Sequence, residues 1–208
     1  MIHKSIIFFK RLLTEKPLGF VCCILTLVFI LVGLFANLLA PYGMNETDLE
    51  YFLSEPSIIH LMGTDNLGRD ILSRVIYGAR ISIIIGFGAS LGATLLSLII
   101  GVISGYVGGK TDLMIQRIVD AWMCFPGLIL LLVLMSIFGI GISQITIVLS
   151  LRWGFSGSRI IRGAVISIKE DIYIKASVAV GCSTLRIILK HIIPNLMAPT
   201  IILFTTRV

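Results

Sequence analysis

The sequence predicts an all-α fold, a polytopic transmembrane helical bundle, on three observations. Mean hydropathy is +1.03 and only 13% of the 208 residues are charged, against about a quarter in soluble globular proteins. The apolar residues gather in runs of about the length needed to cross a hydrocarbon core of roughly 30 Å. Basic residues form short clusters between those runs, where they act as topology signals, and are not interleaved with aromatics on one face as in nucleic-acid binding. The formal charge of +6 therefore points to membrane lipid and to no nucleic acid.

The elements follow in order. Residues 1–17 read as a cytoplasmic amino-terminal segment, because Lys4, Lys10, Arg11 and Lys16 precede the first apolar run and positive charge stays inside. Residues 18–40 form the first span, too long for a signal-peptide core and not followed by an A-x-A cleavage site. Residues 41–80 are an external loop with acids Glu46, Asp48, Glu50, Glu55, Asp65 and Asp70 set against Arg69, Arg74 and Arg80. The membrane domain proper, 81–208, opens with a second span over 81–107. There Ala89, Ala93, Ser97, Gly101 and Gly105 recur at every fourth position, a small-residue stripe that lets another helix backbone approach closely. A third span over 118–140 is interrupted by Pro126, and a fourth covers 142–165. Most of the 17 basic residues then fall on the cytoplasmic side, as the positive-inside rule requires. Cys22, Cys23, Cys124 and Cys182 never stand at a C-x-x-C spacing, so no disulfide or metal site is implied.

The segment 170–195 is a cytoplasmic loop with internal structure. Residues 173–180 are alanine-rich and helix-compatible, Gly181 can end that helix in a left-handed conformation, and Ser183 is a good amino-terminal cap for a second short helix. Pro194 marks entry into the next apolar run. The apolar positions Tyr173, Ala176, Val180, Leu185, Ile188 and Leu189 suit a groove on another protein. The stretch 192–208, interrupted by Pro194 and Pro199 and carrying Arg207, is shorter than the about twenty apolar residues of a span and reads as a partial fifth.

These residues carry a resemblance. "KASVAVG", with Pro194 further on, is similar to the coupling-loop motif of membrane subunits of ATP-binding-cassette importers, where Glu-Ala-Ala is followed by Gly and later by Pro. "HLMGTDNLGRDILSRVIYGARIS" (60–82) resembles the signature before the second span in the C-type permeases of oligopeptide, dipeptide and nickel importers. "DLMIQRIVDAWMCFP" (112–126) resembles their third-span entry, and "SRIIRG" (158–163) their approach to the coupling loop. The likeness runs from about residue 17 to the last. It departs at Lys175, where the family has Glu, and at Ser177, where it has Ala. The last residue falls inside what would be the fifth of six spans, so a form truncated at the carboxy terminus is expected, one that inserts but does not support uptake.

The resemblance implies a permease subunit for peptides or a related small solute such as nickel, in the bacterial cytoplasmic (inner) membrane. Its partners would be a second permease subunit, two ATP-binding subunits and an extracytoplasmic substrate-binding protein. No cofactor is implied, and ATP hydrolysis belongs to partner subunits. The coupling residues would be Tyr173, Lys175, Ala176, Ser177, Gly181 and Pro194.

Other candidates are weaker. "GGKT" at 108–111 is similar to the end of a phosphate-binding loop, but Ser104 stands where that motif needs Gly and no strand precedes it. Arg117 and Asp120 are spaced as an i,i+3 helix pair. Arg152, in the fourth span beside Trp153, is a candidate for the translocation path, since charge in hydrocarbon is costly; the alternative is an arginine snorkelling from a shifted helix. Two competing functions are an inactive remnant of such a permease and a membrane-embedded enzyme centred on Arg69, Asp70 and Arg152. Against the enzyme stands the lack of a close acid pair, a metal-ligand cluster, or a nucleophile and base in one span.

Overall fold

The computed structural model describes residues 16–208; the basic residues Lys4, Lys10 and Arg11 of the topology argument lie outside the described residues. The described residues form helices α1 (Pro17–Leu34), α2 (Ala36–Leu39), α3 (Ile71–Val107), α4 (Gly109–Cys124), α5 (Gly127–Phe138), α6 (Ile142–Lys169), α7 (Ile172–Ala179), α8 (Thr184–Ile187), α9 (Ile193–Asn195) and α10 (Met197–Thr205). A 3-10 turn (Leu49–Tyr51) and a π-turn (Ile188–Ile192) complete them, and no strand occurs among the described residues. The chain is all-α. It divides into two compact units between Ile83 and Ile84, within α3.

In the first unit α1 begins with Pro17 at its first position, where the missing N–H costs nothing and the fixed φ suits a helix. The helix gives way at Phe35, whose N–H still reaches the Leu31 carbonyl at 2.9 Å, and α2 completes the expected 18–40 segment in two pieces. Gly33 faces α3 so closely that a Cβ there would lie 3.1 Å from the Arg80 Cα and collide with the Ile83 side chain. Asn37 accepts a bond from Arg80 Nη1 at 3.0 Å on the same face.

In the second unit the small-residue stripe of α3 meets α6. Ala89, Ala93, Ser97, Gly101 and Gly105 are all buried. A Cβ on Gly101 would stand 2.7 Å from Ile161 Cβ, and one on Gly105 would stand 2.8 Å from Val165 Cβ. Ser97 Oγ lies 2.9 Å from the Gly154 carbonyl across the seam. The absence of side chains therefore brings two backbones together and leaves dispersion and short polar contacts to hold them. Val102, Ile161 and Val165 continue this seam into the main apolar cluster with Ile174, Ile187, Ile192, Leu196 and Leu203.

The helices differ from the expected spans in extent and shape. Helix α3 starts at Ile71 and not at residue 81; at 1.5 Å per residue its 37 residues reach about 55 Å. The third expected span is two helices, α4 and α5, bent by 94° at Phe125–Pro126, where a proline cannot donate the bond that would continue the ladder. The fourth, α6, is helical from Ile142 to Lys169 but is not among the helices apolar enough to cross a membrane: Arg152, Arg159, Arg162 and Lys169 punctuate it. At the chain's end Thr184–Asn195 and Met197–Thr205 meet at 54°. Among the described residues two helices, α1 and α3, are long and apolar enough to cross a membrane, and up to four spans result if each bent pair is one. That is a polytopic bundle with fewer straight spans than a hydropathy reading expects.

Candidate functional site

The segment 170–195 folds as a helix, a left-handed turn and a second helix. Asp171 precedes α7, and its carbonyl takes the Ile174 and Lys175 N–H groups at 3.1 and 3.2 Å. At the other end Gly181 adopts φ +85°. Its N–H reaches the Val178 carbonyl at 2.9 Å and the Cys182 N–H the Ser177 carbonyl at 3.1 Å, the paired bonds of a Schellman end that favours glycine. Ser183 stands at the amino terminus of α8 with extended backbone (ψ 146°), but its hydroxyl makes no capping bond, so it caps by position only. Pro194 does not simply open a new run. The helix widens to a π-turn over Ile188–Ile192 just before it, which relieves the clash of a proline ring with the carbonyl four residues back.

The hairpin is fastened from inside by Ile174, Ile187 and Ile192, each at most 1% exposed. Its two limbs are also tied together, as Asn195 Nδ2 donates to Tyr173 Oη at 3.1 Å and to the His191 carbonyl at 2.6 Å. Of the positions expected to face a partner, Tyr173, Ala176, Val180, Leu185 and Leu189 are exposed, while Ile188 is half-buried against the apolar cluster and leaves that set. Ile172 and Val178 join it as exposed residues. The signal for this split was the excess of apolar residues over what one face of two short helices can hold, which requires an inner and an outer apolar face.

Lys175 Nζ lies 2.8 Å from Glu170 Oε2, both side chains well exposed. The ammonium beside it holds the Glu170 carboxyl below its ordinary range. Ser177 Oγ returns to the Tyr173 carbonyl at 2.8 Å. Beneath α7, Tyr106, Lys169, Glu170, Ile174, Lys175 and Val178 line a pocket of about 250 Å³, with Lys169 Nζ donating to the Tyr106 carbonyl at 2.8 Å.

The seam above the hairpin carries a polar network that local spacing could not reveal. Arg162 of α6 clasps Asp112 of α4 with Nε at 2.6 Å and Nη2 on the second oxygen. Ser104 donates to the same carboxylate and accepts from Gln116 Nε2 at 2.9 Å. Asp120 pairs with Arg159 of α6 and also, more loosely at 3.9 Å, with its expected i,i+3 partner Arg117. Arg152 is half-buried with its guanidinium beside Gly127, where a Cβ would lie 2.8 Å from Nε. No ion pair joins it to another described residue.

In the 41–80 segment, Arg69 and Asp70 are spent on local structure. Asp65 Oδ2 takes Arg69 Nε at 2.8 Å and also Arg74, while its Oδ1 accepts the N–H groups of Leu67 and Arg69 at 2.8 and 3.1 Å. The Arg69 side chain, with these backbone bonds, holds the Asp65 carboxyl far below its ordinary range against some burial. Asp70 caps α3 by accepting the Ser73 N–H at 2.8 Å, a stabilising end condition, and pairs with His60 Nδ1 at 3.0 Å. Burial raises its pKa, but the bonds from Ser73 and His60 outweigh it and the net direction is down.

Set beside known proteins, residues 97–208 match the model of the binding-protein-dependent transport system inner membrane component. The chain belongs to that family. Among curated proteins it is 38% identical over 194 residues to a dipeptide transport system permease protein of Alkalihalophilus pseudofirmus, and 37% identical over 194 residues to an oligopeptide transport system permease protein of Bacillus subtilis. Each match covers 93% of this chain and 64% of the relative. A glutathione transport system permease protein of Escherichia coli is 31% identical over 202 residues, 96% of this chain and 66% of the relative. The chain thus spans just under two-thirds of the length of these relatives. As an inner membrane component with helices able to cross, it fits a multi-pass protein of the bacterial inner membrane.

Proposed function

We propose that this chain is the membrane-spanning part of an ATP-driven importer for peptides, coupled to separate ATP-binding subunits through the 170–195 hairpin. The observation that carries this reading is a hairpin closed at Gly181 and anchored inward by Ile174, Ile187 and Ile192, with an apolar outer face left open. A rigid, apolar protrusion of two short helices is what a groove on another protein can grip. Its attachment to the α3–α6 seam lets a push on the hairpin reach those helices as rigid-body rocking. The dipeptide, oligopeptide and glutathione names of the relatives support a peptide-class solute over nickel.

In this reading the amino terminus is cytoplasmic, a second permease subunit completes the path, two ATP-binding subunits dock from the cytoplasm and an extracytoplasmic binding protein delivers the solute. Tyr173, Lys175, Ala176, Ser177, Gly181 and Pro194 form or support the docking element, and the chain itself performs no chemistry. Arg152, the one cation of α6 without a described anionic or carbonyl partner, remains the candidate for the solute path. Arg69 and Asp70, the proposed centre of an enzyme, are already engaged by the scaffold of their own loop. The test is Gly181→Val. A branched Cβ is strained at positive φ, so copurification of the ATP-binding subunit falls while membrane insertion persists; unchanged recovery contradicts the docking role.

A further inference from the structure

We propose that the outer face of α4, with the recess it shares with α3 and α6, seats an anionic phospholipid, an acyl chain in the recess and the phosphate against Lys110 and Arg117. That face is the inverse of a helix face in water. Asp112 and Asp120 turn to Arg162 and Arg159 of α6, while Leu113, Met114, Ile118 and, just past the helix, Phe125 are exposed. A helix that keeps its acids inside and its apolar side chains outside needs an apolar cover.

The neighbouring surface identifies the cover as lipid. Helix α3 is long and apolar enough to cross a membrane, and its Ile99 and Ile103 are 58% and 45% exposed, so both face hydrocarbon. The same two residues, with Ile100, form one wall of a recess of about 180 Å³ that Ile115 and Ile118 of α4 and Phe155 of α6 help to close. The outer face of α4 therefore continues a surface that already lies in lipid, and a recess lined by apolar side chains alone offers water no partner. Helix α5 carries no charge and stands at 94° to α4. A helix of mixed apolar and basic residues set at a right angle to an apolar one lies along the interface.

Charge selects the head group. Lys110 and Arg117 are seven residues apart and share one stripe of the helix, and both are exposed. The Arg117 side chain is 75% exposed and makes only the 3.9 Å contact with Asp120, which Arg159 holds more closely. Two cations beside hydrocarbon attract an anionic head group and gain little from a zwitterionic one. The site requires a bilayer around α3 and is independent of the transport reading.

The experiment uses Trp122, whose ring lies 4.8 Å from that of Phe155 in the recess wall. The full chain carrying Trp153→Phe, which leaves Trp122 as the one tryptophan, is reconstituted in phosphatidylcholine vesicles. Phosphatidylglycerol or phosphatidylcholine brominated along the acyl chains is then titrated in. Both quench Trp122, and half-maximal quenching comes at a roughly fivefold smaller fraction of phosphatidylglycerol. Adding Lys110→Gln/Arg117→Gln, at two exposed positions, abolishes that preference and leaves quenching by phosphatidylcholine as it was. Adding Ile103→Phe, which fills the recess from an exposed position, weakens quenching by both lipids. Equal quenching by the two head groups, a preference that survives the double substitution, quenching unchanged by Ile103→Phe, or quenching by neither lipid overturns the proposal.

Discussion

Two excursions between helices, the 41–70 segment and the 170–195 hairpin, are held in place by opposite means. The first is tied by charge and hydrogen bonds: Asp65 gathers two arginines and two backbone N–H groups, and Asp70 joins His60 to the start of α3. The second is tied by apolar contact through Ile174, Ile187 and Ile192, and its one acid–base pair, Lys175–Glu170, lies in solvent. The 41–70 segment has apolar side chains too, but Leu49, Phe52, Leu53, Ile58, Leu61 and Met62 are exposed, so its buried side chains are the polar His60, Thr64 and Asp70, which must be satisfied by hydrogen bonds. The hairpin has isoleucines to bury and can leave its charges outside. The difference teaches which perturbation each region feels.

The largest effect is expected from Ile187→Ala. Removing a fully buried isoleucine costs about 3 kcal/mol by lost transfer and a residual cavity, and hydrogen exchange over 172–195 should rise while exchange over 54–71 stays as it was. Equal loosening of both regions would break the comparison. Next is Asp70→Ala, which strands His60 Nδ1 and the Ser73 N–H at a cost of about 2–3 kcal/mol. Limited proteolysis within 54–70 should then accelerate with the hairpin left intact.

Acid sharpens the same contrast. Asp65 and Asp70 have pKa values below the ordinary 3.8. A depressed folded-state pKa contributes stability that is present above the unfolded value and lost as pH falls through the folded one. The 41–70 segment should therefore lose exchange protection as pH drops below 3.8, while the apolar anchors of the hairpin keep theirs. Simultaneous loss would show that the hairpin also relies on ionised carboxylates. The smallest effect belongs to Lys175→Ala, because an exposed ion pair adds little; hairpin exchange should not change. A measurable rise would mean that the Lys175–Glu170 pair fixes α7.

Much of the architecture was legible because it is written in local pattern. The apolar runs of α1 and α3, the stripe from Ala89 to Gly105 and the glycine stop at Gly181 all rest on period or on backbone chemistry that a few neighbouring residues determine. What could not be read depends on distant partners. The stripe shows that some helix packs on α3, but only the fold identifies α6. Asp112 and Arg162 are fifty residues apart and share no motif, so their clasp is a product of the α4–α6 geometry. The 94° bend was signalled by Pro126, whereas its size was not, since a proline sets where a helix breaks and packing sets how far it turns. On the hairpin, Ile174 and Ile187 look like Ile172 and Leu185 in sequence, and inward and outward roles separate only once the turn at Gly181 fixes the two helices.

The claim at the centre of this account is that the outer face of the hairpin grips an ATP-binding subunit while the inner face grips the bundle. Single cysteines at Val180 and at Ile174, in a chain whose four natural cysteines are serine, test it when the chain is coexpressed with its ATP-binding subunit and treated with a short thiol-to-amine crosslinker. The account predicts a crosslinked product from Val180→Cys and none from Ile174→Cys. A product from Ile174→Cys alone, or from neither position while the subunit still copurifies, would contradict it.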